Sequence, residues 1–466
     1  MNATGLLRRV PRAGTRLLSQ PLEAASLAAV VALGGLLDTR ALHAGTSYDE
    51  GVYLASLREL KHGAAIASQL FTSQPPGFYW LLRLAGLAGS SPADVRAVFV
   101  AIALLGVVAT WWLVRQLAGP TGGIVAAALL ALTPAWAAES ARIEADAPST
   151  AFSLAALALA RSSPVAAGAL LAAAISVKLL AVAALVPFVL LCGRWRLLRA
   201  VLGAAVATAA ILAPAYSTLR GQWHDVVGFH LDARSSTGPS LGDNLHRVAH
   251  FPDPRTAAGL LVLLALGYTV LALLARRRLL HRRLWAWTLA AALLLVLQRP
   301  LFDHHMVLLA AALAAPAGAV TGDALARAPR PLFAVGCAAL LAAAAFGYAR
   351  TWHEVASAAP PDPDVSHAAA FLRSRLPAGS EVASDLEIVP YLAGMRQPPD
   401  LVDLSVVRLD TGSISDARIL AEARGAAAFV VGRTLADRPD VLAALRNRYP
   451  RTARFGAVTI YFAPGS

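Results

Sequence analysis

Short polar segments interrupt the long apolar runs of this 466-residue chain, and three of them carry adjacent or isolated charges. Asp49-Glu50 lies in SYDEGVYLASL, Lys178 stands within an apolar stretch, and His304-His305 begins a late apolar run. A carboxylate suits general-base chemistry on a hydroxyl group, and cations suit the stabilisation of a departing anion. Charges at membrane depth are costly unless they face a cavity or each other, so each is a functional candidate.

A fourth polar segment, ARIEADAPST, carries Arg142, Glu144 and Asp146. Structural alternatives exist for these groups, because acids suit helix N-termini and Asp146 before Ala147-Pro148 is typical of an N-cap. Lys178 has the alternative of reaching back to the lipid headgroups. Adjacent histidines point in different directions, so interfacial packing is favoured over zinc ligation. The convergence of four polar segments on one membrane face favours a shared site.

The composition indicates which class of protein positions these polar groups. Hydrophobic residues make up 57% of the chain and charged residues 15%, against roughly a quarter in soluble domains. The mean hydropathy is +0.58. We therefore predict a polytopic α-helical membrane protein and exclude a soluble enzyme, a disordered protein or a fibre. The net charge of +13 comes mostly from arginines between apolar runs, which indicates cytoplasmic membrane loops and no nucleic-acid partner.

A membrane-spanning helix needs about 20 apolar residues. Runs of suitable composition are 22–37, 93–117, 119–138, 147–160, 198–215, 256–275, 284–298, 304–320 and 329–348. The stretch 165–192 is apolar except for Ser176 and Lys178, and it fits either one long span or two short helices joined by an outer turn.

The positive-inside rule decides between these alternatives, because they give opposite topology to everything downstream. The hairpin leaves the dense arginine clusters in the cytoplasm: Arg194, Arg196, Arg199, Arg276–Arg278, Arg282, Arg283, Arg327 and Arg330. The single span would export all of them. We therefore predict about 11 transmembrane helices in the inner (cytoplasmic) membrane. The arginines from Arg8 to Arg16 favour a cytoplasmic N-terminus, and the C-terminus then lies outside.

Two larger pieces then face outward. In the first outer loop, 38–92, the segments 51–60 and 78–88 have the pattern of amphipathic helices on the membrane face. After a Pro/Asp linker, 350–466 alternates helix-like segments (366–375, 415–424, 437–448) with strand-like ones (380–384, 427–432, 453–462). We predict a transmembrane module, 1–349, and a small extracytoplasmic α/β domain, 350–466, in which Asp385 and Glu387 follow the first strand.

These groups suit transfer of a sugar from a polyprenyl phosphate. The carrier phosphate lies at headgroup level, so the site belongs at the outer membrane face. Asp49 would orient and deprotonate the acceptor hydroxyl. Arg142, Lys178 and His304 or His305 would supply cations at the departing lipid phosphate.

At these residues a family resemblance is visible. SYDEGVYLASLRELKHG followed by FTSQPPGFYWLL resembles the lipid-phosphosugar-dependent glycosyltransferases of the GT-C fold. That family includes the dolichyl-phosphate-mannose protein mannosyltransferases and the bacterial aminoarabinose transferases. The resemblance extends over roughly 30–350 in order and spacing. Its motifs are Asp49-Glu50 with Tyr53, Pro75-Pro76 with Phe78-Tyr79-Trp80, Asp146-Ala147-Pro148, Lys178 and His304-His305.

The resemblance implies that Asp49 is the catalytic carboxylate, with Glu50 and Asp146 shaping the acceptor or metal site. Aminoarabinose transferases carry a lysine just before the proline motif, but Gln74 stands here and brings no charge. The expected contacts to the donor phosphate are Arg142, Lys178, His304, His305 and Gln74. The expected contacts to the acceptor or sugar are Tyr53, Glu144 and Tyr79. No cofactor follows from the sequence, and a divalent cation stays open.

The sequence thus predicts an inverting membrane glycosyltransferase that moves a sugar, hexosyl or pentosyl, from a polyprenyl-phosphate donor to an extracytoplasmic glycan, lipid or protein. The composition, with only two lysines, is typical of a GC-rich bacterial genome. Alternatives from other classes are a secondary transporter or lipid flippase, and a non-catalytic envelope scaffold. The C-terminal domain would bind the acceptor, cover the site or serve as a passive cap.

Overall fold

The computed structural model of the chain describes residues 20–236, 240–253, 255–274, 282–356 and 360–465. The N-terminal arginines and Arg276–Arg278, which enter the topology prediction, lie outside these residues. Most of the described chain is helical. The helices of the first 356 residues are α1 (Gln20–Ala41), α2 (Tyr48–Lys61), α3 (Pro76–Ala85), α4 (Pro92–Ala131), α5 (Pro134–Ser140), α6 (Asp146–Leu159), α7 (Pro164–Val177), α8 (Leu185–Cys192), α9 (Arg194–Leu212), α10 (Leu219–Trp223), α11 (Phe229–Ser236), α12 (Leu241–His250), α13 (Ala257–Leu274), α14 (Arg282–Leu297), α15 (Met306–Arg327) and α16 (Arg330–Ala356).

Among the described residues, five helical stretches are long and apolar enough to cross a membrane. They are Gln20–Ala41, Pro92–Ala131, Arg194–Arg234, Asp303–Arg327 and Arg330–Val355. Shorter apolar helices are Pro164–Val177, Leu179–Cys192, Ala258–Leu274 and Arg283–Leu297. The predicted number of 11 passes stays a prediction.

Helix α4 is two antiparallel arms rather than one rod. Its backbone leaves the helical region at Gly119, where φ is 83°, a value that glycine adopts without strain. Gly123 of the second arm packs against Trp111 and Arg115 of the first, with no room for a side chain. The reversal corresponds to the two predicted spans, 93–117 and 119–138, the second of which is broken before Pro134.

The chain also reverses at Lys178. Helices α7 and α9 cross closely, because Gly168 touches the carbonyl of Ala200 and Gly203 that of Val165. The carboxyl ends of both helices lie against α3: Ser176 contacts Gly77, and the Ile211 carbonyl accepts a hydrogen bond from Trp80. The two helices therefore run parallel, and the 3₁₀ segment Leu179–Ala184 with α8 carries the chain back between them. This geometry agrees with the hairpin and not with a single long span.

Helix α15 forms the centre of the helical bundle. Nearly all of its side chains are buried, and Gly318 and Gly322 touch the second arm of α4 at Ala126 and Gly122. Small residues allow such close helix contacts inside a membrane protein. Helix α15 thus fixes His304 and His305, which directly precede it.

The C-terminal residues fold into a four-stranded sheet flanked by helices. Strands β1 and β2 are parallel, β4 is antiparallel to β2, and β3 is antiparallel to β4, in the spatial order β1-β2-β4-β3. The segment predicted as one strand, 453–462, is instead a hairpin that turns at Gly456, where φ is 53°. The elements are α17 (Pro363–Arg375), β1 (Val382–Ser384), α18 (Ile388–Ala393), α19 (Val406–Asp410), α20 (Asp416–Glu422), β2 (Ala428–Val431), α21 (Pro439–Arg448), β3 (Arg451–Phe455) and β4 (Val458–Phe462).

Helix α2 joins the two parts of the chain. The Arg58 guanidinium donates to the carbonyls of Pro390, Tyr391 and Met395, and Glu59 accepts two hydrogen bonds from Arg396. The residues of α2 from Glu50 to Leu57 are all buried, and Gly51 packs against Ile388 of the C-terminal domain. The expected position of α2 on the membrane face stays a prediction.

Candidate active site

The first turn of α2 presents two neighbouring carboxylates in different environments. Ser47 caps the helix and accepts a hydrogen bond from the Glu50 amide, while the Glu50 carboxylate accepts one from the Ser47 amide. The cap therefore uses Glu50, and the capping alternative for Asp49 does not hold. Asp49 is left on the first turn with its carboxylate free for other contacts.

Glu50 is fully buried and paired with Arg96 of α4. Two nitrogens of the guanidinium each lie 2.7 Å from a carboxylate oxygen, and the Ile143 amide donates to the same group at 3.1 Å. Arg96 also donates to carbonyls of the loop 41–45. The sequence places Glu50 among the catalytic residues, but this geometry favours a positioning role, because both of its carboxylate oxygens already have donors.

Asp49 differs from Glu50 in having no ion pair or hydrogen bond within the described part of the chain. The pKa of this carboxyl group is raised to about 6, mainly by burial and then by the negative charge of Asp403. The positive charges of Lys178 and Arg433 act in the opposite direction. The Asp49 carboxylate therefore lies near cations and can accept a proton from a substrate.

Lys178 and Asp146 form a buried ion pair with an Nζ–Oδ2 distance of 2.6 Å. Lys178 is the extended residue between α7 and the returning segment, so the reversal aims its side chain at the start of α6. The cap of α6 is Ala145, which forms no side-chain bond. Neither the N-cap alternative for Asp146 nor the headgroup alternative for Lys178 therefore holds, since each side chain binds the other.

The next contacts tie the loop before α6 to the start of α15. His304 Nδ1 lies 3.3 Å from Glu144 Oε2, and Ser47 Oγ donates to Glu144 Oε1 at 3.4 Å. His305 points elsewhere, because its Nδ1 accepts a hydrogen bond from the Phe302 amide. Arg142 pairs with Glu139 at 3.0 Å and keeps about two-fifths of its side chain exposed.

Aromatic residues of α2 and α3 line the next layer. Gln74 donates to the Tyr53 hydroxyl at 3.2 Å, so the polar residue that replaces the expected lysine is held by an aromatic partner. The Tyr53 ring lies edge-on to Phe78 with centroids 4.6 Å apart, and Tyr79 is 1% exposed. Burial raises the pKa of both tyrosine hydroxyls, which therefore stay protonated and act as donors.

Sequence reasoning expected the C-terminal domain to bind the acceptor, cover the site or act as a passive cap, but it missed the residues that contact the site. The Tyr48 hydroxyl lies 3.3 Å from Glu387 and 3.4 Å from Asp403, and the Arg433 guanidinium lies 3.8 Å above the Tyr48 ring. The only sequence signal was the position of Asp385 and Glu387 after β1. Arg96 was missed as well, because 46 positions separate it from Glu50 and no local pattern connects them.

Three of these side chains could hold a divalent cation. Asp49, Glu144 and His304 each offer one ligand atom within 4.8 Å of the others. Glu144 Oε2 is buried and lacks a hydrogen-bond partner among the described residues. Two carboxylate oxygens and one imidazole nitrogen suit a borderline or hard divalent metal, so the residues fit such an ion.

Comparisons with known proteins concern the family model and the fold. Residues 71–300 match the family model described as Glycosyltransferase family 87. The structure is similar to the crystal structure of ArnT from Cupriavidus metallidurans bound to undecaprenyl phosphate, with a TM-score of 0.66 and 15% sequence identity over 96% of this chain and 99% of that chain. The chain has the GT-C glycosyltransferase fold.

An oligosaccharyltransferase has the same fold. The Archaeoglobus fulgidus enzyme in the apo form matches with a TM-score of 0.52 and 13% identity, over 87% of this chain and 69% of that chain. The AglB enzyme from the same organism, in complex with an inhibitory peptide and a dolichol-phosphate, matches with a TM-score of 0.53 and 12% identity, over 88% of this chain and 70% of that chain. No curated protein sequence matches the chain at a significant level.

The resemblance to the GT-C enzymes that depend on polyprenyl phosphate, stated from sequence motifs, is confirmed. The family match and the fold together indicate a membrane glycosyltransferase. The donor sugar and the acceptor do not follow from these comparisons.

Proposed function

We propose that this glycosyltransferase moves a sugar from a polyprenyl phosphate to a hydroxyl group of an extracytoplasmic acceptor, with inversion at the anomeric carbon. The observation that carries the proposal is the difference between two adjacent acids. Glu50 is neutralised by Arg96, whereas Asp49 has no partner within the described residues and lies in the field of Lys178. The reaction needs a base for the acceptor hydroxyl and a cation for the leaving phosphate. An unpaired carboxylate beside a buried cation supplies both.

Asp49 is the general base in this proposal. The acceptor oxygen attacks the anomeric carbon on the face opposite the phosphate, and its proton passes to the Asp49 carboxylate. The bond between that carbon and the phosphate oxygen breaks, and polyprenyl phosphate leaves with the electron pair. A pKa of about 6 keeps most of the Asp49 carboxyl group deprotonated at neutral pH while leaving it basic enough to share a proton.

Lys178 is the cation for the departing phosphate. It lies at a chain reversal, where a headgroup phosphate can reach it from the bilayer, and Asp146 fixes its position at 2.6 Å. Charge that develops on the phosphate in the transition state strengthens its attraction to the lysine. Arg142, with its exposed guanidinium, and the imidazole of His304 are further donors, and Gln74 contributes a neutral one through its side-chain amide.

A divalent cation bound by Asp49, Glu144 and His304 would supply Lewis-acid stabilisation of the phosphate charge. With or without it, Glu144 has a positioning task. It connects Ser47 at the start of α2 to His304 at the start of α15. His305 anchors the same turn through the Phe302 amide.

We place the site at the outer face of the cytoplasmic membrane, with the N-terminus inside and the C-terminal domain outside. The reversals at Gly119 and Lys178 support this topology, because each returns the chain to the side that the arginine clusters require. Tyr53 lies buried near Asp49 and Tyr79, and we assign both tyrosines as contacts to the sugar or acceptor. A transporter or flippase is the alternative, but the candidate site groups lie at the starts of α2, α6 and α15 and at the end of α7 rather than in the middle of a helix.

The test uses membranes that contain wild type or Asp49→Asn, supplied with a panel of labelled polyprenyl-phosphate sugars. Release of free polyprenyl phosphate is followed by chromatography. Wild type should turn over one or more donors, and Asp49→Asn should be slower by about 10²–10⁴-fold. Equal turnover by the two proteins would contradict the role of Asp49, and movement of an intact donor across the membrane without release would support the flippase.

A further inference from the structure

A large cavity lies between the loop 42–47, the first turn of α2 and the C-terminal domain. Its volume is about 920 Å³, and its walls include Ser47, Tyr48, Arg142 and Arg433. The cavity reaches both the membrane part of the molecule, through Arg142, and the sheet domain, through Arg433. None of the proposed catalytic steps uses it.

Three acids line the cavity, and each has contacts of its own. Glu354 pairs with Arg350, and Asp362 caps α17. Glu387 is buried and accepts a hydrogen bond from the Tyr48 hydroxyl, and burial raises the pKa of its carboxyl group.

Of the cavity's arginines, two already have anionic partners. Arg96 is neutralised by Glu50, and Arg142 lies 3.0 Å from Glu139. Arg433 has no ion pair within the described residues, although its exposed guanidinium faces the cavity. Among the arginines on the cavity wall, Arg433 is therefore the one without an anionic partner among the described residues.

The backbone holds Arg433 in place. The Asp385 carboxylate accepts hydrogen bonds from the amides of Gly432, Arg433 and Leu435, at 2.8, 3.1 and 2.7 Å. Asp385 is itself fully buried at the end of β1. These bonds fix the backbone at Arg433, and stacking on Tyr48 holds its guanidinium beside the cavity.

Arg433 is close to the chemistry. Its guanidinium stacks on the ring of Tyr48, the residue before Asp49, and its charge acts on both Tyr48 and Asp49. A molecule whose anionic group rests on Arg433 would therefore contact Tyr48, the residue next to Asp49.

We propose that the cavity binds the acceptor, and that Arg433 selects acceptors with a phosphate group near the hydroxyl that receives the sugar. This inference rests on the proposed function in treating the bound molecule as the acceptor, but phosphate binding itself can be measured without turnover. Arginine suits this role because its planar fork can donate two hydrogen bonds to one phosphate while its face stays stacked on an aromatic ring.

The test measures binding without catalysis. Purified full-length protein in phosphatidylcholine nanodiscs is studied by hydrogen–deuterium exchange in three conditions: no addition, phosphatidylglycerol added to the nanodisc lipid, and soluble inorganic phosphate. Phosphate binding should slow exchange in the peptides that contain 42–48 and 431–436. Protection only with phosphatidylglycerol identifies a lipid headgroup as the source, and protection with inorganic phosphate as well identifies the free anion.

Variants decide whether Arg433 is responsible. Arg433→Gln should weaken binding of the protecting anion by about tenfold or more, because a charge-assisted hydrogen bond is lost. Arg454→Gln removes an equal charge from an exposed residue of the same domain that does not line the cavity, and it should bind like wild type. Exchange of the β2 peptide without anion checks that both variants are folded.

Absence of protection in wild type under both anionic conditions would overturn the proposal, and so would equal protection in Arg433→Gln. Neither result bears on release of polyprenyl phosphate by Asp49, which is measured separately. Asp385→Asn provides a second route, because it should loosen the 432–435 loop and weaken anion binding while leaving the Arg433 side chain present.

Discussion

The two ends of α2 contain similar residues but use them differently. At the carboxyl end, Arg58 and Glu59 have complementary partners in the C-terminal domain, with Glu59 1% exposed and 2.7 Å from Arg396. At the amino end, Glu50 is paired but Asp49 is not. One helix thus carries both an interface and a reactive group.

The contrast between the two ends of α2 distinguishes charges that stabilise the fold from charges that are available for chemistry. Desolvating a charge is costly, so a buried group that serves only the fold is accompanied by a partner. Asp49 and Arg433 lack such partners within the described residues, and Arg433 lines a cavity.

The largest effect on stability is expected for Arg96→Met, which leaves Glu50 buried without a counter-charge. The free energy of unfolding should fall by roughly 3–5 kcal/mol, measured by thermal and denaturant unfolding in detergent. The double variant Arg96→Met with Glu50→Gln should recover most of this loss, because the uncharged amide can still accept a hydrogen bond from the Ile143 amide. A double variant as unstable as the single one would show that the pair is not the source of the effect.

Lys178→Gln tests the cation at the leaving group. Turnover should fall by about 10²–10³-fold, as for removal of one transition-state donor. Part of that change could come from the unpaired Asp146, so Lys178→Gln is compared with Lys178→Gln plus Asp146→Asn. The double variant should regain thermal stability while turnover stays low, whereas recovery of turnover would assign Lys178 a purely structural task.

Glu59→Gln removes a charge at the carboxyl end of α2, where the charged side chains have partners in the C-terminal domain. Loss of the charge opposite Arg396 should cost about 1–3 kcal/mol of stability, because Glu59 is buried and also accepts from the Gln397 amide. Glu422→Gln is the matched control, since Glu422 is exposed and lies 4.0 Å from Arg418, and its change should stay below about 0.5 kcal/mol. Turnover per folded molecule should be unchanged in both, and a specific loss of turnover in Glu59→Gln would argue against the contrast between the two ends.

The smallest effect concerns pH. Because Asp49 acts as a base, turnover should rise with pH through about 6, the pKa of its carboxyl group, and then level off. The Asp403 charge raises this pKa, so Asp403→Asn should move the rising limb to lower pH. A limb that stays in place, or moves to higher pH, would argue against Asp403 as an electrostatic neighbour of the base.

Local patterns predicted the elements well. The segments 51–60 and 78–88 correspond to α2 and α3, and 366–375 and 437–448 to α17 and α21. Each of these has a clear apolar period or a proline at its start. The segment 453–462 was read as one strand because a turn of only two residues, at Gly456, hardly interrupts its alternation.

Pairings between distant segments could not be read from the sequence. Arg96 lies within an apolar run and resembles any other flanking arginine until Glu50 is placed beside it. Tyr48 and Asp403 are 355 positions apart, so only the folded domain brings them together. The prediction that Asp49 is the catalytic carboxylate came from family motifs, and the same motifs grouped Glu50 with it although the two side chains have different surroundings.

The most direct test of the central claim compares turnover and stability of Asp49→Asn in the same purified preparation. Burial raises the pKa of the Asp49 carboxyl group, so ionisation costs stability as pH rises through about 6. At pH 8 the asparagine variant should therefore be at least as stable as wild type, yet release polyprenyl phosphate about 10²–10⁴-fold more slowly. A variant that retains turnover, or that loses turnover only in proportion to lost folded protein, would contradict the assignment of Asp49 as the uncompensated, catalytic carboxylate.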